Sequence, residues 1–502
     1  MYAHATSYST RSRAAPRARL LYDRVVPFHA RSHARTLEDA PSNVAIRKPA
    51  AIRTMRAMTV VSRLASASFA STARVDRARR SQNFSFASID AVRVERALAT
   101  TCARRRVSRG RRDEASRDDG FLRETLRGAI KNDAFTAALW DVYERSGGQE
   151  GRQKAEVGVL RSDYMLDAPS GLPLQVEVNT VSTSFMALGS KVSAMHRHLA
   201  AWSAKPGEVV DFDAMPQNDA LSSAGDVLAA GWKAMGSKGK IMMVVQPNER
   251  NMFDQRHISH YIFETHGIHT VRATLAEVNA EGALRDGTLT FRGDDIGLVY
   301  FRAGYTPSDY PTSGEWSARL LIEQSNALKS PSVAMHLAGS KKVQQKLAEA
   351  GVLESFMPER AADMRRVFAD LYSLDGDEGT EAIKLALANP AGYVLKPQRE
   401  GGGNNLYSDD LRKRLELGGD LGAFILMQRI LPPSHQTLTV RAGKVLEIET
   451  LSELGIYGSY LRVGDEIVIN KHGGSLLRTK AATSDEGGVA AGYAVLDSPL
   501  LV

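Results

Sequence analysis

One short segment, Lys396-Pro397-Gln398-Arg399-Glu400-Gly401-Gly402-Gly403-Asn404-Asn405, constrains this chain more than any other. Three glycines without Cβ atoms let backbone N–H groups approach an anion closely, while Lys396 and Arg399 supply cations and Glu400 offers a hard oxygen for magnesium. A surface turn or linker can also be glycine-rich, but it needs no Lys, Arg, Glu and paired Asn packed around the glycines. The segment therefore reads as a triphosphate cradle. Residues 392–396 on one side and 423–430 on the other are apolar and β-prone, the second ending before Pro432-Pro433, which predicts two strands clasping a nucleotide between them. A P-loop is excluded, because no strand followed by GxxxxGKS or GxxxxGKT and a helix occurs. Its nearest approach, Gly231 to Gly236-Ser237-Lys238, has the last two residues reversed.

The net charge of +8 invites a nucleic-acid partner, but the charge is unevenly placed. The first 80 residues hold 16 Lys and Arg against 4 Asp and Glu, so the remainder is slightly acidic and offers no basic field to a phosphate backbone. That leader is rich in Arg, Ala and Ser and poor in acids, the composition of an organellar transit peptide; a disordered tail or a translation start at Met55 or Met58 is the alternative. No apolar run approaches the ~18 residues of a membrane span. Cys102 is the only cysteine, which excludes a disulfide framework and a Cys-based zinc site.

From Phe121 apolar residues recur at helical spacing through Tyr143, predicting one or two amphipathic helices. Next comes Arg161-Ser162-Asp163-Tyr164-Met165 and, past a Pro-Ser-Gly turn, a strand expected over residues 174–184. Alternation places Glu177, Asn179 and Val181 on one face, with Val176 and Val178 on the other; a carboxylate and an amide oxygen two apart suit magnesium, as a solvated polar face would also explain. Residues 240–246 read as a buried strand, 253–264 as a helix stopped by Gly267, and 268–272 as a second strand: a β-α-β unit with Glu249-Arg250-Asn251 at the carboxyl edge, where ligands bind in open α/β sheets. His257 and His260 lack a third metal ligand and read as solvated. A further strand, 296–301, delivers Arg302-Ala303-Gly304-Tyr305 to the same edge, with Arg302 a candidate carboxylate clamp. Ser452-Glu453-Leu454-Gly455, Leu477-Arg478-Thr479-Lys480 and the small-residue loop from Gly487 to Gly492 complete the set.

Together with Phe253-Asp254-Gln255-Arg256 and Leu337-Ala338-Gly339-Ser340-Lys341-Lys342, these motifs resemble, in order, the eukaryotic-type glutathione synthetases, which are ATP-grasp ligases. The resemblance implies an α/β (α+β) chain: an ATP-grasp fold with an inserted α/β substrate-binding domain and N-terminal helices. Expected boundaries are a leader at 1–80, a basic segment out of pattern at 81–120, the first part of the ATP-grasp core at 121–236, the substrate domain at 237–340 and the ATP-grasp domain at 341–502. It also implies ligation of γ-glutamylcysteine to glycine through an acyl phosphate, with ATP as co-substrate, two Mg²⁺ ions, a homodimer, and neither nucleic acid nor membrane as partner. Glu177, Asn179 and Glu400 match the magnesium ligands. Glu177, Lys341, Lys396, Pro397, Gln398, Arg399, Glu400, Gly401, Gly402, Gly403, Asn404, Asn405, Tyr407, Met427, Gln428, Arg429, Ile430, Glu453, Lys480 and Glu486 match the ATP site. Arg161, Val181, Ser182, Thr183, Ser184, Glu249, Arg250, Asn251, Gln255, Arg302, Ala303, Gly304 and Tyr305 match the γ-glutamylcysteine site. Arg478, Val489 and Ala490 match the glycine end, and Arg478 and Lys396 fit electrostatic stabilisers of the transferring phosphate.

Three departures stand out. Ala303 occupies a position where the family commonly has Asp, and Gln428 one often held by Glu. Residues 102–112 are basic where an apolar-periodic helix is expected, as a mis-spliced gene model would produce. Two other classes fit less of the pattern: another ATP-grasp carboxylate–amine ligase, which would change Arg161, Asn251, Gln255 and Arg478, and a catalytically silent nucleotide- or nucleic-acid-binding protein. Localisation follows the leader, organellar if it is a transit peptide and cytoplasmic otherwise.

Overall fold

The computed structural model describes residues 113–400, 403–485, 487–489 and 492–501. The leader, Cys102 and the basic run to residue 112 lie outside the described residues. Residues 113–120, expected to fall out of pattern, are part of the fold, because Asp113 and Glu114 both pair with Arg462 and the Tyr460 hydroxyl donates to Asp113 at 2.6 Å.

Two helices follow, Asp119–Asn132 and Ala134–Arg145, each started by an aspartate whose carboxylate accepts a first-turn N–H, Asp118 from Phe121 and Asp133 from Thr136. Their apolar faces, with Leu122, Leu126, Phe135 and Leu139, pack on a sheet built entirely from residues 240–330. In that sheet Lys240–Val244 pairs in parallel with Thr270–Ala273 and Asp294–Phe301, and the helix Met252–His266, closed by Gly267 at φ +67°, makes the crossover. Period-two alternation sends Met242, Val244, Val299 and Phe301 to the paired helices, and Ile241, Met243, Leu298 and Tyr300 to the opposite core. Burial on both faces is why residues 240–245 read as an unbroken apolar run.

The opposite core is closed by the helix Ala220–Ala234 and by a larger, antiparallel sheet. Its order is Ala494–Asp497, Glu466–Ala481, Lys444–Val463, Ala155–Asp167, Leu172–Asn179, with His435–Arg441 paired to the start of Lys444–Val463. A third, small antiparallel sheet sets Tyr393–Pro397 between Leu406–Tyr407 and Phe424–Gln428, with Leu371–Tyr372 beyond, and packs on the helices Gly376–Ala388 and Ser408–Glu416. The two strands expected to flank the glycine loop are therefore neighbours, at Tyr393–Pro397 and Phe424–Gln428. Among the described residues no helix is long and apolar enough to cross a membrane.

The strand expected over 174–184 stops at Asn179, because Ser182 and Phe185 take left-handed conformations (φ +51° and +70°) that no strand accommodates. Val181 consequently sits in a loop and is buried in the core shared by the paired helices and the parallel sheet.

Where the large sheet meets the strand Leu328–Ser330, the buried Glu156 accepts from Ser332 Oγ at 3.0 and 3.1 Å and from Gln153 Nε2 at 3.2 Å. Burial, reinforced by the Asp113 charge, pushes its carboxyl up to about 8 from an ordinary 4.5. Because the folded state holds the proton more tightly, Glu156 favours folding fully below pH 4.5, and that contribution is lost as the pH rises through 8. Glu156→Gln should remove this dependence. The variant's melting temperature relative to the native chain is expected to rise by on the order of 3–5 °C between pH 4.5 and pH 9, read by scanning fluorimetry; a pH-independent offset would contradict it.

Candidate functional site

The large sheet gathers the site on one face through strand register. Arg161 and Asp163 are two apart on Ala155–Asp167. Asn179 and Glu177 lie opposite them on one neighbouring strand, and Tyr457 and Gly455 on the other. Glu453 lies two residues from Gly455, and Arg478 lies opposite Glu453. Asp163 is fully buried. Its oxygens accept Arg161 Nε at 2.6 Å and Nη2 at 2.8 Å, Asn179 Nδ2 at 3.0 Å and Arg478 Nη2 at 3.1 Å, and the same Arg478 nitrogen also pairs with Glu453. Gly455 makes room for this cluster, since a Cβ there would lie 2.8 Å from both Asp163 Oδ1 and Arg161 Cδ.

A second charge cluster joins the large sheet to the glycine loop. Lys341 begins the helix Lys341–Ala348, which Ser340 caps. Its Nζ lies 2.9 Å from Glu400 Oε1 and 3.7 Å from Glu177 Oε2. Lys396 Nζ donates to the Val176 carbonyl at 3.1 Å. Burial alone would push the Glu177 carboxyl up, but Lys341, Lys396, Arg478 and Arg161 overcome it and hold Glu177 at about 2. Glu400 goes the other way: burial raises it, with the Glu177 charge adding to the rise and Lys341 opposing it. Burial likewise lowers Lys396.

Among the described residues no three His, Cys, Asp or Glu converge as a metal cluster. The oxygen donors nevertheless fit magnesium. Asn179 gives its N–H to the Asp163 carboxylate, which can only accept, so its amide oxygen is left for another partner beside the Glu177 carboxylate. Lys341 already bridges Glu177 and Glu400, the arrangement of a cation held between two hard oxygen ligands.

The loop after Asn179 is organised by a residue outside the expected set. Asp254, fully buried, accepts the N–H groups of Phe185, Ala187 and Leu188 at 2.9–3.1 Å, which starts the helix Met186–Ser203. It also holds both terminal nitrogens of Arg302 at 3.2 Å, and Arg302 Nη2 reaches Ser184 Oγ at 3.1 Å. Both terminal nitrogens of Arg302 thus engage an internal carboxylate and help shape the 181–185 loop, while its Nε has no partner. Asp309 Oδ2 accepts the N–H groups of Gly304, Tyr305 and Thr306 at 2.9, 3.0 and 3.3 Å, so the turn holds its shape with Ala303 buried in the apolar core. Glu249 accepts Gln255 Nε2 at 2.6 Å and the Asn251 N–H at 2.8 Å, while Arg272 donates to Gln255 Oε1 at 2.6 Å. Arg250 is exposed. Among the buried donors without a partner are Asn251 Nδ2, Arg302 Nε and Arg478 Nε, which suits an anionic, acceptor-rich ligand.

The remaining ATP-site candidates divide. Gln398 braces the loop by accepting the Lys342 N–H at 3.1 Å, and Arg399 turns to Asp133 at the start of a helix. Met427 and Ile430 are core residues, and Gln428 is exposed. Asn405 Nδ2 donates to Tyr407 Oη at 3.3 Å, and Arg429 stacks over that ring while pairing with Asp485 at 2.8 Å. Lys480 Nζ donates to the Asp485 carbonyl at 2.7 Å. Gly487 lies against Glu453, its absent Cβ 3.0 Å from Oε2. Gly401, Gly402, Glu486 and Ala490 lie outside the described residues. A cavity of about 520 Å³, open mouth included, runs between Asn179, Val181, Tyr305, Ser340 and Glu400.

The sequence reading missed Asp163, Asp254, Asp309 and Gly455 as organisers. Only Asp163 left a usable signal, an acid two residues from Arg161 and so on the same strand face.

The description "Eukaryotic glutathione synthase, ATP binding domain" matches residues 112–501. The chain is 45% identical over 400 residues to the chloroplastic glutathione synthetase of Arabidopsis thaliana, covering 78% of this chain and 73% of that protein. It is 42% identical over 400 residues to the glutathione synthetase of Homo sapiens, covering 77% and 83%. A solved glutathione synthetase-like effector from Globodera pallida, in apo form, shares the fold with a TM-score of 0.62 at 22% identity, over 82% of this chain and 87% of that one.

Lys341→Met removes the cation between Glu177 and Glu400. Glu177 ionises near 2 in the folded chain against an ordinary 4.5, so its stabilisation is complete above pH 4.5 and lost as the pH falls through 2. The variant is expected to melt below the native chain at pH 7, with the gap narrowing by pH 3, and to need roughly ten-fold more ATP for half-saturation. Identical melting at pH 7 would remove Lys341 from the charge balance.

Proposed function

The chain belongs to the eukaryotic glutathione synthases, ATP-dependent ligases, and on that premise we propose that it joins γ-glutamylcysteine to glycine through an acyl phosphate. The observation that carries the reading is the single sheet face on which Arg161, Asn179, Glu177, Glu453 and Arg478 meet Lys341, Lys396 and Glu400. A substrate carboxylate oxygen attacks the γ-phosphorus of ATP, releasing ADP; the glycine amine then attacks the acyl carbon, and phosphate leaves with the bonding pair. Magnesium held by Glu177, Asn179 and Glu400, two ions in this reading, would neutralise phosphate charge during transfer. Lys341 and Lys396 contact the phosphates, and Arg478 stabilises the transferring phosphoryl group and the tetrahedral oxygen. Arg161 and the 181–185 loop hold γ-glutamylcysteine, with Glu249, Asn251 and Gln255 at its other end. The two glycine loops exclude water from the acyl phosphate, which would otherwise hydrolyse before the amine attacks.

By likeness to the family, Val489 and Ala490 are assigned to the acceptor end, where small apolar residues favour glycine over larger amines. The basic leader supports organellar import, consistent with the chloroplastic naming of the Arabidopsis thaliana and Solanum lycopersicum relatives. Assembly as a homodimer rests on the family likeness alone.

Full-length protein should sustain ADP release over many turnovers only when γ-glutamylcysteine and glycine are both present, and excess chelator should abolish turnover until magnesium is restored. Activity with another acid but not this pair would reassign the substrate. Gly403 holds φ +76°, where a Cβ would meet no atom within 4 Å but a β-branched residue resists the backbone conformation. Gly403→Val is therefore expected to lower kcat by about 100-fold or more with the circular dichroism spectrum unchanged; normal turnover would take the loop out of the mechanism. In an acceptor screen glycine should outcompete β-alanine and serine, and the reverse order would overturn the assignment of Val489 and Ala490.

A further inference from the structure

We propose that Asp163 is a positioning residue that sets, from one buried carboxylate, both guanidiniums at the substrate end and the amide at the magnesium end of the site. The inference rests on the ligase reading above and extends it to a residue that does not itself touch substrate. Asp163 Oδ2 accepts three donors, Arg161 Nη2, Asn179 Nδ2 and Arg478 Nη2, within 2.8–3.1 Å, while Oδ1 takes Arg161 Nε at 2.6 Å. The donors come from three different strands, Ala155–Asp167, Leu172–Asn179 and Glu466–Ala481. Arg161 is held by two parallel bonds, which fixes the plane of its guanidinium as well as its position. Asn179 is held in the one amide orientation that leaves its oxygen free, and Arg478 is held with its buried Nε unpaired. A strand partner lacking a Cβ, Gly455, is what allows the carboxylate and the Arg161 stem to share this space.

A residue that only supported the fold would, when altered, weaken all ligands together. Asp163 instead orients groups at the substrate and metal end, whereas the cations nearest the nucleotide, Lys341 and Lys396, have partners of their own in Glu400, Glu177 and the Val176 carbonyl. The test is steady-state kinetics of full-length Asp163→Asn, which keeps the shape and removes the charge, beside the native chain. Native turnover requiring γ-glutamylcysteine and glycine upholds the ligase reading, and its absence overturns that reading together with this inference. Given native turnover, Asp163→Asn is expected to raise KM for γ-glutamylcysteine and glycine by about ten-fold or more and to raise the magnesium concentration needed for half-maximal rate, while KM for ATP measured at saturating magnesium moves less than about three-fold. Unchanged KM values, or equal losses for all three substrates, would overturn the positioning role. Should Asp163→Asn fail to fold, Gly455→Ala crowds the same carboxylate without touching its charge and is expected to give the same split. A Gly455→Ala enzyme with native kinetics would count against the proposal.

Discussion

Sharing one buried carboxylate among several donors is the interaction on which this site depends. A lone carboxylate taken out of water would recover its proton, and lone guanidiniums facing each other would repel. Asp163 resolves both by sitting where register puts Arg161, Asn179 and Arg478 within reach of the same two oxygens. Asp254 repeats the device at the next loop, serving three backbone N–H groups and Arg302. Breaking one partner of such a cluster costs more than the pairing gains, because the remaining charges stay buried.

The large sheet supplies the precision this requires. Residues two apart on a strand share a face, and antiparallel pairing places the matching residues of neighbouring strands side by side. Arg161 opposite Asn179, Asp163 opposite Glu177, and Glu453 opposite Arg478 are contacts of register, with rigid backbone behind each. The loops add what strands do not. The left-handed Ser182 and Phe185 turn the chain sharply into the helix Met186–Ser203, placing Ser184 on Arg302, and the Asp309 carboxylate holds the turn at Gly304 and Tyr305.

Much of this was legible beforehand, for physical reasons. The β-α-β unit announced itself through an apolar run too long for a one-sided strand and a helix closed by Gly267; the glycine loop did so through charges that a linker does not need. The pairing of Arg302 with Asp254 is not legible in the sequence, because the two lie 48 residues apart and nothing local to either residue reveals it. Val181 was placed on a strand because alternation persists in the sequence beyond Asn179, while the backbone break depends on hydrogen bonds from elsewhere in the fold. Periodicity reports which face a residue occupies; it does not report which distant charge occupies that face with it.

The charge inventory gives the arrangement its chemical sense. Around the inner site stand the carboxylates Asp163, Glu177, Glu400 and Glu453 and the cations Arg161, Arg478, Lys341 and Lys396, equal in number and engaged with one another by contact or by field. A site so balanced cannot hold a nucleotide triphosphate, with about four negative charges, merely by being basic. The triphosphate has to enter with cations of its own, and two divalent ions would cancel its charge almost completely. On the proposed function the oxygen ligands and the ammonium groups would then divide the work: Glu177, Glu400 and the Asn179 amide would hold the ions, leaving Lys341 to exchange carboxylate partners for phosphate oxygens. Neutrality before and after binding would keep the field nearly constant, so that the charge changing most during reaction would be the one moving with the phosphoryl group.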